Sequence, residues 1–203
     1  MANNPNTPKG FQPVQNRGSS SYRGNMQVYV LAANVTNAIF LGDPVIKTAT
    51  STDATHGYET VVLATAGSGN KITGIVTGFL GTDPNGAFFG ASGVPGPYYK
   101  ASNSASKTWI TVDNDTDSLF EVQCTGTPTA SAVGKNVNGV SGQGGKTTGW
   151  SGWQVSATTT TNAAAQFQIV GFVQSQDNVV GNKFPKLYVR INQSTETPAA
   201  IGI

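Results

Sequence analysis

The chain has 203 residues, of which 37% are hydrophobic and only 11% are charged, and its net charge at pH 7 is +2. Soluble domains carry about 25% charged residues, and Gly, Thr, Ser and Asn take the place of the missing charge in this chain. Disordered chains have few aromatic residues and high net charge, so 9% aromatic content indicates a folded chain with a neutral, polar surface. Because phosphate binding needs clustered Lys and Arg, the absence of three adjacent basic residues argues against a nucleic-acid partner.

The first 24 residues form a segment of their own, rich in Pro and Gly, which disfavour regular helix and central strand. Its charged side chains are all basic, and apolar side chains are spaced along it. Two interpretations are open: a frayed terminal tail, or an extended N-terminal arm that orders against a partner. In the second, the residues at the partner interface are Phe11, Val14, Arg17, Tyr22 and Arg23.

Residues 25–193 contain short runs rich in Val, Ile, Thr and aromatic residues, separated by Gly, Asn, Asp and Pro, as is typical of strands and turns. Several runs alternate, so that Phe167 and Ile169 oppose Gln166 and Gln168, and such alternation buries one face. About ten strands predict one all-β domain, an antiparallel β-sandwich or barrel of jelly-roll-like form. Residues 194–203 are predicted to be a C-terminal tail, and the best helix candidate, residues 130–137, allows one or two turns.

Two long Gly-rich loops are predicted, at residues 81–96 and 138–149, and loops of this length in compact domains are usually functional or disordered. The first carries Phe88 and Phe89 outside any strand. These rings either form a contact surface for a partner or cover the end of the barrel, and the sequence favours neither.

Catalytic chemistry finds no support in the sequence. Nucleophilic catalysis needs a base beside the nucleophile, and the one histidine, His56, lies in a predicted loop next to no nucleophile motif. The one cysteine, Cys124, shares a strand face with Phe120 and Val122, which is typical of a small core residue. A single cysteine also excludes an intramolecular disulfide, which fits a reducing cytoplasm. We therefore expect no enzyme activity and no cofactor.

Two further patterns have structural and functional interpretations. Residues 113–117 resemble the start of an EF-hand loop, but Ser118 and Cys124 stand where that loop needs Gly and Glu, so a polar turn is favoured over a calcium site and no metal is expected. Trp150 and Trp153 could stack on a sugar. Their spacing places the rings on opposite faces of a regular strand, so one of them is expected in the core.

Six stretches, taken in order along the chain, resemble those of the capsid cement, or decoration, proteins of tailed bacteriophages. They are KGFQPV at 9–14, LGDPV at 41–45, VLATAG at 62–67, ITGIVTGF at 72–79, TGWSGW at 148–153 and IVGFV at 169–173, with Asp177 and Asn178 following the last. Members of this family are β-sandwich or barrel domains, often trimers, that sit on the outside of a shell built from an HK97-type major capsid protein and lock neighbouring subunits, commonly through extended arms.

The resemblance implies a virion structural protein on the exterior of the capsid, made in the cytoplasm of the bacterial host. The implied partners are the major capsid protein and further copies of this chain, as a homotrimer or alternatively a dimer, with no nucleic acid and no membrane. Many copies around a shell would bind with avidity. The alternative is a carbohydrate- or receptor-binding module of a phage head fibre or adhesin. In that case the important side chains are those of Trp109, Trp150 and Trp153.

Overall fold

The computed structural model describes residues 4–16, 20–21, 26–54, 56–81 and 99–196. These residues form an all-β fold, so the predicted class and its sandwich or barrel architecture are confirmed. The strands are β1 Gln12–Asn16, β2 Ser20–Ser21, β3 Met26–Leu31, β4 Ile39–Phe40, β5 Pro44–Thr52, β6 Glu59–Leu63, β7 Gly74–Gly81, β8 Tyr99–Lys100, β9 Thr108–Asp113, β10 Ser118–Gln123, β11 Asn136–Val140, β12 Gln154–Thr160, β13 Phe167–Phe172 and β14 Lys186–Ile191. Within the described ranges, no helix is both long and apolar enough to cross a bilayer.

Five strands close into a barrel in the order β3, β6, β5, β7, β9. β9 is antiparallel to β3 and β7, whereas β3 and β6 run parallel, a pairing that the antiparallel expectation did not include. Every residue of β9 is buried, because this strand lies between two neighbours in the closed barrel. The barrel core includes Tyr29, Leu31, Val45, Val61 and Ile110.

Seven strands form a second, antiparallel sheet in the order β12, β11, β13, β14, β10, β1, β2. The predicted alternation is present: Phe167 and Ile169 are buried in β13, while Gln168 between them is only partly buried. A bridge between Cys124 and Val155 brings β12 against the end of β10, so the sheet curls around its own core. Cys124 is fully buried in that core, as predicted.

The two cores are continuous rather than separate. Ile72 and Ile75, from the chain that enters β7, pack into the core of the seven-stranded sheet. Leu63, at the end of β6, packs against both cores. The barrel and the sheet therefore share one apolar interior, as expected for a single domain.

The described part of the N-terminal segment is not a free arm. β1 pairs with β10, and the Phe11 ring, with no exposed surface, stacks on Phe167 at a centroid distance of 4.3 Å. The predicted boundary at residue 24 is thus wrong for residues 4–16, because an aromatic side chain beside an uncovered sheet lowers its free energy by packing within its own chain. Phe11 belongs to the core and not to a partner interface.

The first residues of the predicted C-terminal tail also belong to the domain. Ser194 bridges to Ile72, and the hydroxyls of Thr195 and Thr73 lie 3.1 Å apart. Glu196 then pairs with Lys47 at 2.9 Å, and Glu59 pairs with the same ammonium group at 2.9 Å. The domain therefore extends to residue 196, and residues 197–203 lie outside the described ranges.

The helix candidate at residues 130–137 forms one 3₁₀ turn, Ala130–Ala132, as the Gly134 interruption predicted. Gly134 then adopts a positive φ of 84° and β11 begins at Asn136, because a left-handed glycine ends the turn. β12 begins only at Gln154, so Trp150 and Trp153 do not lie on the regular strand that their spacing argument assumed. The four residues before it belong to the loop between β11 and β12.

Replacing Phe11 by Ala should lower the free energy of unfolding by about 3–5 kcal/mol, because it removes a fully buried ring and leaves a cavity against Phe167. Urea unfolding followed by tryptophan fluorescence measures the change. Val14→Ala is the matched control, since Val14 lies three residues further on and is 37% exposed. Its change should stay within about 0.5 kcal/mol. Equal effects of the two substitutions would show that Phe11 is not part of the core.

Candidate partner-binding groove

The N-terminal segment runs along the outside of the seven-stranded sheet, where side-chain amides fix its path. The Asn4 amide donates to the Val179 carbonyl at 3.2 Å and accepts from the Val179 N–H at 3.0 Å. The Gln123 amide, on β10, donates to the Pro5 carbonyl at 2.7 Å. These bonds hold the segment in place before it enters β1, so its exposed side chains occupy defined positions.

Val14 lies at an irregularity in the pairing of β1 with β10. Pro13 is opposite Phe120 and Gln15 is opposite Leu119, so Val14 is the extra residue of a β-bulge. Bulges redirect side chains, and Val14 is 37% exposed while Phe11 is fully buried. Of the two apolar residues predicted as partner anchors in this stretch, only Val14 is available at the surface.

A groove of about 220 Å³ lies beside Val14. The residues that line this N-terminal groove are Thr7, Lys9, Gly10, Gln12, Val14, Glu121, Val122, Gln123, Trp150 and Lys186. Trp150 is partly buried, and Lys9 and Lys186 are exposed. The groove thus combines an apolar patch of one valine and one indole with a predominantly basic rim.

One ion pair crosses the groove wall: the Lys186 ammonium lies 3.0 Å from a Glu121 carboxylate oxygen. The lysine side chain is 49% exposed, so this pair contributes little stability. A second depression of about 210 Å³ shares Thr7, Gln123 and Lys186 with the groove and continues along residues 4–7. Together they form a continuous binding surface along the N-terminal segment.

Backbone pairing with Leu41, the residue after β4, holds Trp150 in position. The Leu41 N–H donates to the Gly149 carbonyl at 3.0 Å, and the Ser151 N–H donates to the Leu41 carbonyl at 2.9 Å. The Trp150 carbonyl accepts from the Gly145 N–H at 2.9 Å. The Gly-rich loop predicted at residues 138–149 is therefore an ordered, hydrogen-bonded element.

A buried carboxyl group holds this loop in place through a hydrogen bond. Asp43 is 2% exposed and accepts hydrogen bonds from the Phe40 N–H, at 2.8 Å, and from the Ser151 hydroxyl. Ser151 in turn accepts from the Trp153 N–H at 3.0 Å. Burial raises the pKa of Asp43 to about 7, against the opposing effect of its two hydrogen bonds. Asp43 and Ser151 lie in two of the stretches that carry the family resemblance, at 41–45 and 148–153, but neither stretch indicates that the two side chains meet.

The tryptophans do not form one platform. Trp109 and Trp153 are 6% and 1% exposed, so both belong to the interior, and only Trp150 is available in the groove. The expectation that one ring of the Trp150–Trp153 pair lies in the core is confirmed for Trp153. A sugar-binding surface that uses all three indoles is excluded by their burial.

His56 and Lys107 both contact the buried carboxylate of Asp53. The His56 Nδ1 lies 2.8 Å from the carboxylate of Asp53, which has no exposed side-chain surface, and Lys107 lies 3.2 Å from the other carboxylate oxygen. The His56 ring meets the Trp109 ring edge-on at 5.4 Å. The arrangement neutralises a buried carboxylate and fixes the turn between β5 and β6.

The acidic cluster at residues 113–117 and the single cysteine both have structural roles. The Asp115 and Asp117 N–H groups donate to the carboxylates of Asp113 and Asp115 at 3.0 and 2.8 Å, which are the local bonds of a polar turn. Among the described residues, no group of three or more potential metal-ligating side chains comes together. Burial raises the pKa of the Cys124 thiol, which disfavours the reactive thiolate.

Five residues predicted at a partner interface lie outside the described ranges. They are Arg17, Tyr22, Arg23, Phe88 and Phe89. Their assignment to an interface stays a prediction.

Comparison of the chain with models of protein families, with curated proteins and with solved structures gives no match.

Substituting Asn for Asp43 should remove part of the pH dependence of stability. The folded-state pKa of about 7 lies above the ordinary value of 3.8, so the contribution of this group is fully present below about pH 4 and is lost as pH rises through about 7. The loss amounts to about 4 kcal/mol. Relative to the wild type, Asp43→Asn should therefore gain stability between pH 4 and pH 8.

Urea unfolding across this pH range measures the difference, with Asp177→Asn, in the exposed loop after β13, as the control. Parallel pH profiles for wild type and Asp43→Asn would contradict the placement of this carboxyl in the interior.

Proposed function

We propose that this chain is a capsid cement protein that binds the outer surface of a phage head and locks neighbouring major capsid protein subunits. The order of six sequence stretches between residues 9 and 173, which resembles that of the cement family, supports this proposal. The observation that carries it in the structure is the N-terminal groove. There, an exposed Val14 on the N-terminal segment lies beside a partly buried Trp150 on the loop between β11 and β12, and hydrogen bonds hold both elements to the domain.

The groove has the properties that attachment of a cement protein to a shell requires. Such a protein gains its attachment from many weak contacts, so it needs a preformed surface and not a reactive centre. The apolar pair Val14 and Trp150 offers the kind of centre found in protein interfaces, and the surrounding polar side chains offer a rim. Lys9 and Lys186 favour a partner surface with acidic groups.

The proposed mode of attachment differs from that of a free arm. Residues 4–16 are bonded to the domain, and residues 12–16 form β1 of the sheet, so binding through this segment costs less ordering entropy than folding a flexible segment onto the shell. The segment would act as a rigid ridge beside the groove. The proposed partner is the HK97-type major capsid protein, and the proposed location is the exterior of the virion.

Val14→Asp should abolish or strongly weaken attachment to the capsid, because it would bury an unpaired carboxylate at the contact. Purified shells that lack the protein would be mixed with it and sedimented, and the bound fraction and the temperature of shell disruption would be measured. We expect wild type to bind and to raise that temperature, and Val14→Asp to lose at least about ten-fold in affinity.

Val133→Asp is the matched control, because Val133 is a similarly exposed valine, 43% against 37%, outside the groove. It should bind like wild type. If wild type neither binds shells nor stabilises them, the proposed function is wrong. If wild type binds and Val14→Asp binds equally well, the function stands and the groove is not the contact.

We also propose a homotrimer, with a dimer as the alternative, because shells of this kind present local three-fold sites to such proteins. Sedimentation equilibrium should give three times the chain mass of 21.0 kDa. Twice that mass would support the dimer. The mass of a single chain at every concentration would contradict self-association in solution.

A further inference from the structure

Asp43 is a buried carboxyl group without a positively charged partner. It is 2% exposed and accepts hydrogen bonds from the Phe40 N–H and the Ser151 hydroxyl, both of which are uncharged. Among the residues that the structure describes, no cationic side chain forms an ion pair with it. Asp53, by contrast, is equally buried but pairs with the ammonium group of Lys107. When Asp43 ionises, its negative charge is therefore left without a counter-charge in the interior.

The titratable side chains on the surrounding elements do not neutralise Asp43. Lys9 on the N-terminal segment and Lys146 in the loop between β11 and β12 are both exposed to water. On β8, the Lys100 ammonium group donates to a backbone carbonyl, and the Tyr99 ring stacks on a neighbouring phenyl ring. Burial therefore dominates and raises the pKa of Asp43 from 3.8 to about 7, while its two hydrogen bonds oppose this effect only in part.

A cavity of about 370 Å³ offers water a route to this carboxyl group, because Asp43 is one of its lining residues. One wall of the cavity is the loop between β11 and β12, through residues 141–144 and Lys146. All of these wall residues except Gly144 are exposed. An outward movement of this wall would hydrate Asp43 while the strands of the barrel stay paired, so the opening is local and not a global unfolding.

The same loop carries Trp150, which lines the N-terminal groove. Ser151, the next residue, donates its hydroxyl to Asp43 and its N–H to the Leu41 carbonyl at 2.9 Å. The Leu41 N–H donates in turn to the Gly149 carbonyl at 3.0 Å. These bonds hold the loop on both sides of the indole. Opening of the loop breaks them and displaces Trp150, and ionisation favours opening because the carboxylate then gains hydration.

We propose that Asp43 is a pH-sensitive latch: its protonated form holds the loop between β11 and β12 closed, and its ionisation releases the loop and moves Trp150 out of the N-terminal groove. Because the pKa of Asp43 in the closed form lies above its ordinary value, the stabilisation is fully present below about pH 4 and is lost as pH rises through about 7. The consequence for attachment to a shell rests on the proposed function, whereas the latch itself does not.

Amide hydrogen exchange of the full chain, followed by NMR between pH 5 and pH 8, tests the latch. The reporters are the N–H groups of Leu41 and Ser151, which bond the loop to the chain after β4. After correction for the intrinsic pH dependence of exchange, their protection should fall on the order of 10²-fold over this range. In dilute urea their exchange should change little, because local opening exposes little surface. Exchange of the Cys124 N–H, which bonds to the Pro185 carbonyl at 2.8 Å, should follow global unfolding.

Asp43→Asn keeps the size and hydrogen-bonding capacity of the side chain but cannot ionise, so protection of Leu41 and Ser151 should be equal at pH 5 and pH 8 in this variant. Asp177→Asn, in the exposed loop after β13, is the matched control and should keep the pH dependence of the wild type. The latch is overturned by constant protection in the wild type or by an equal fall in Asp43→Asn. A urea dependence equal to that of Cys124 would also overturn it.

Attachment to purified shells measures the coupling of the latch to the groove. The apparent dissociation constant should rise with pH by the factor 1 + K, where K is the opening equilibrium constant obtained from exchange, and it should stay constant for Asp43→Asn. A rise below about two-fold in the wild type at pH 8 would show that the latch does not regulate attachment. If the wild type binds shells at no pH, the proposed function is wrong, and the exchange experiment alone decides the latch.

Discussion

The close approach of Gly10, Gly42 and Ser151 is the contact on which the rest of the molecule depends. A Cβ on Gly10 would lie 2.4 Å from the Ser151 Cβ and 2.6 Å from the Gly42 carbonyl oxygen, and both glycines have positive φ, 69° and 85°. Only glycine permits this geometry without strain. It lets the Phe11 N–H donate to the Gly42 carbonyl at 2.9 Å, which aims the Phe11 ring at the core. The N-terminal segment, the turn before β5 and the loop of Trp150 meet at this one place.

The same junction holds the loop that carries Trp150. Ser151 contacts Gly10 on one side and donates to Asp43 on the other, so the loop between β11 and β12 is fixed from both directions. Trp150 lines the N-terminal groove, whereas Trp153 packs in the core. A loop with many glycines is rigid in this fold because its backbone is packed and hydrogen-bonded, and a rigid surface binds with less entropic cost.

Features set by neighbouring residues could be predicted from the sequence, whereas those set by distant residues could not. Alternation in β13 and the core position of Cys124 follow from the period of two along a strand. Trp153 is buried, as expected for one ring of the pair, but both rings lie in a loop and not on the regular strand that the expectation assumed. The burial of Phe11 depends on its contact with Phe167, which is far away along the chain, so no local sequence pattern predicts it. The role of Asp43 was equally hidden, because its partner Ser151 is brought to it only by the folded loop.

A reconstruction of decorated particles by electron cryomicroscopy tests the central claim, that this protein acts by binding a shell through a preformed surface, most directly. The account predicts density for the chain on the particle exterior, with Val14 and Trp150 facing the major capsid protein and residues 12–16 still paired with β10. Density on the exterior with this groove open to solvent would contradict the proposed contact. Particles that carry no density for the chain would contradict the function itself.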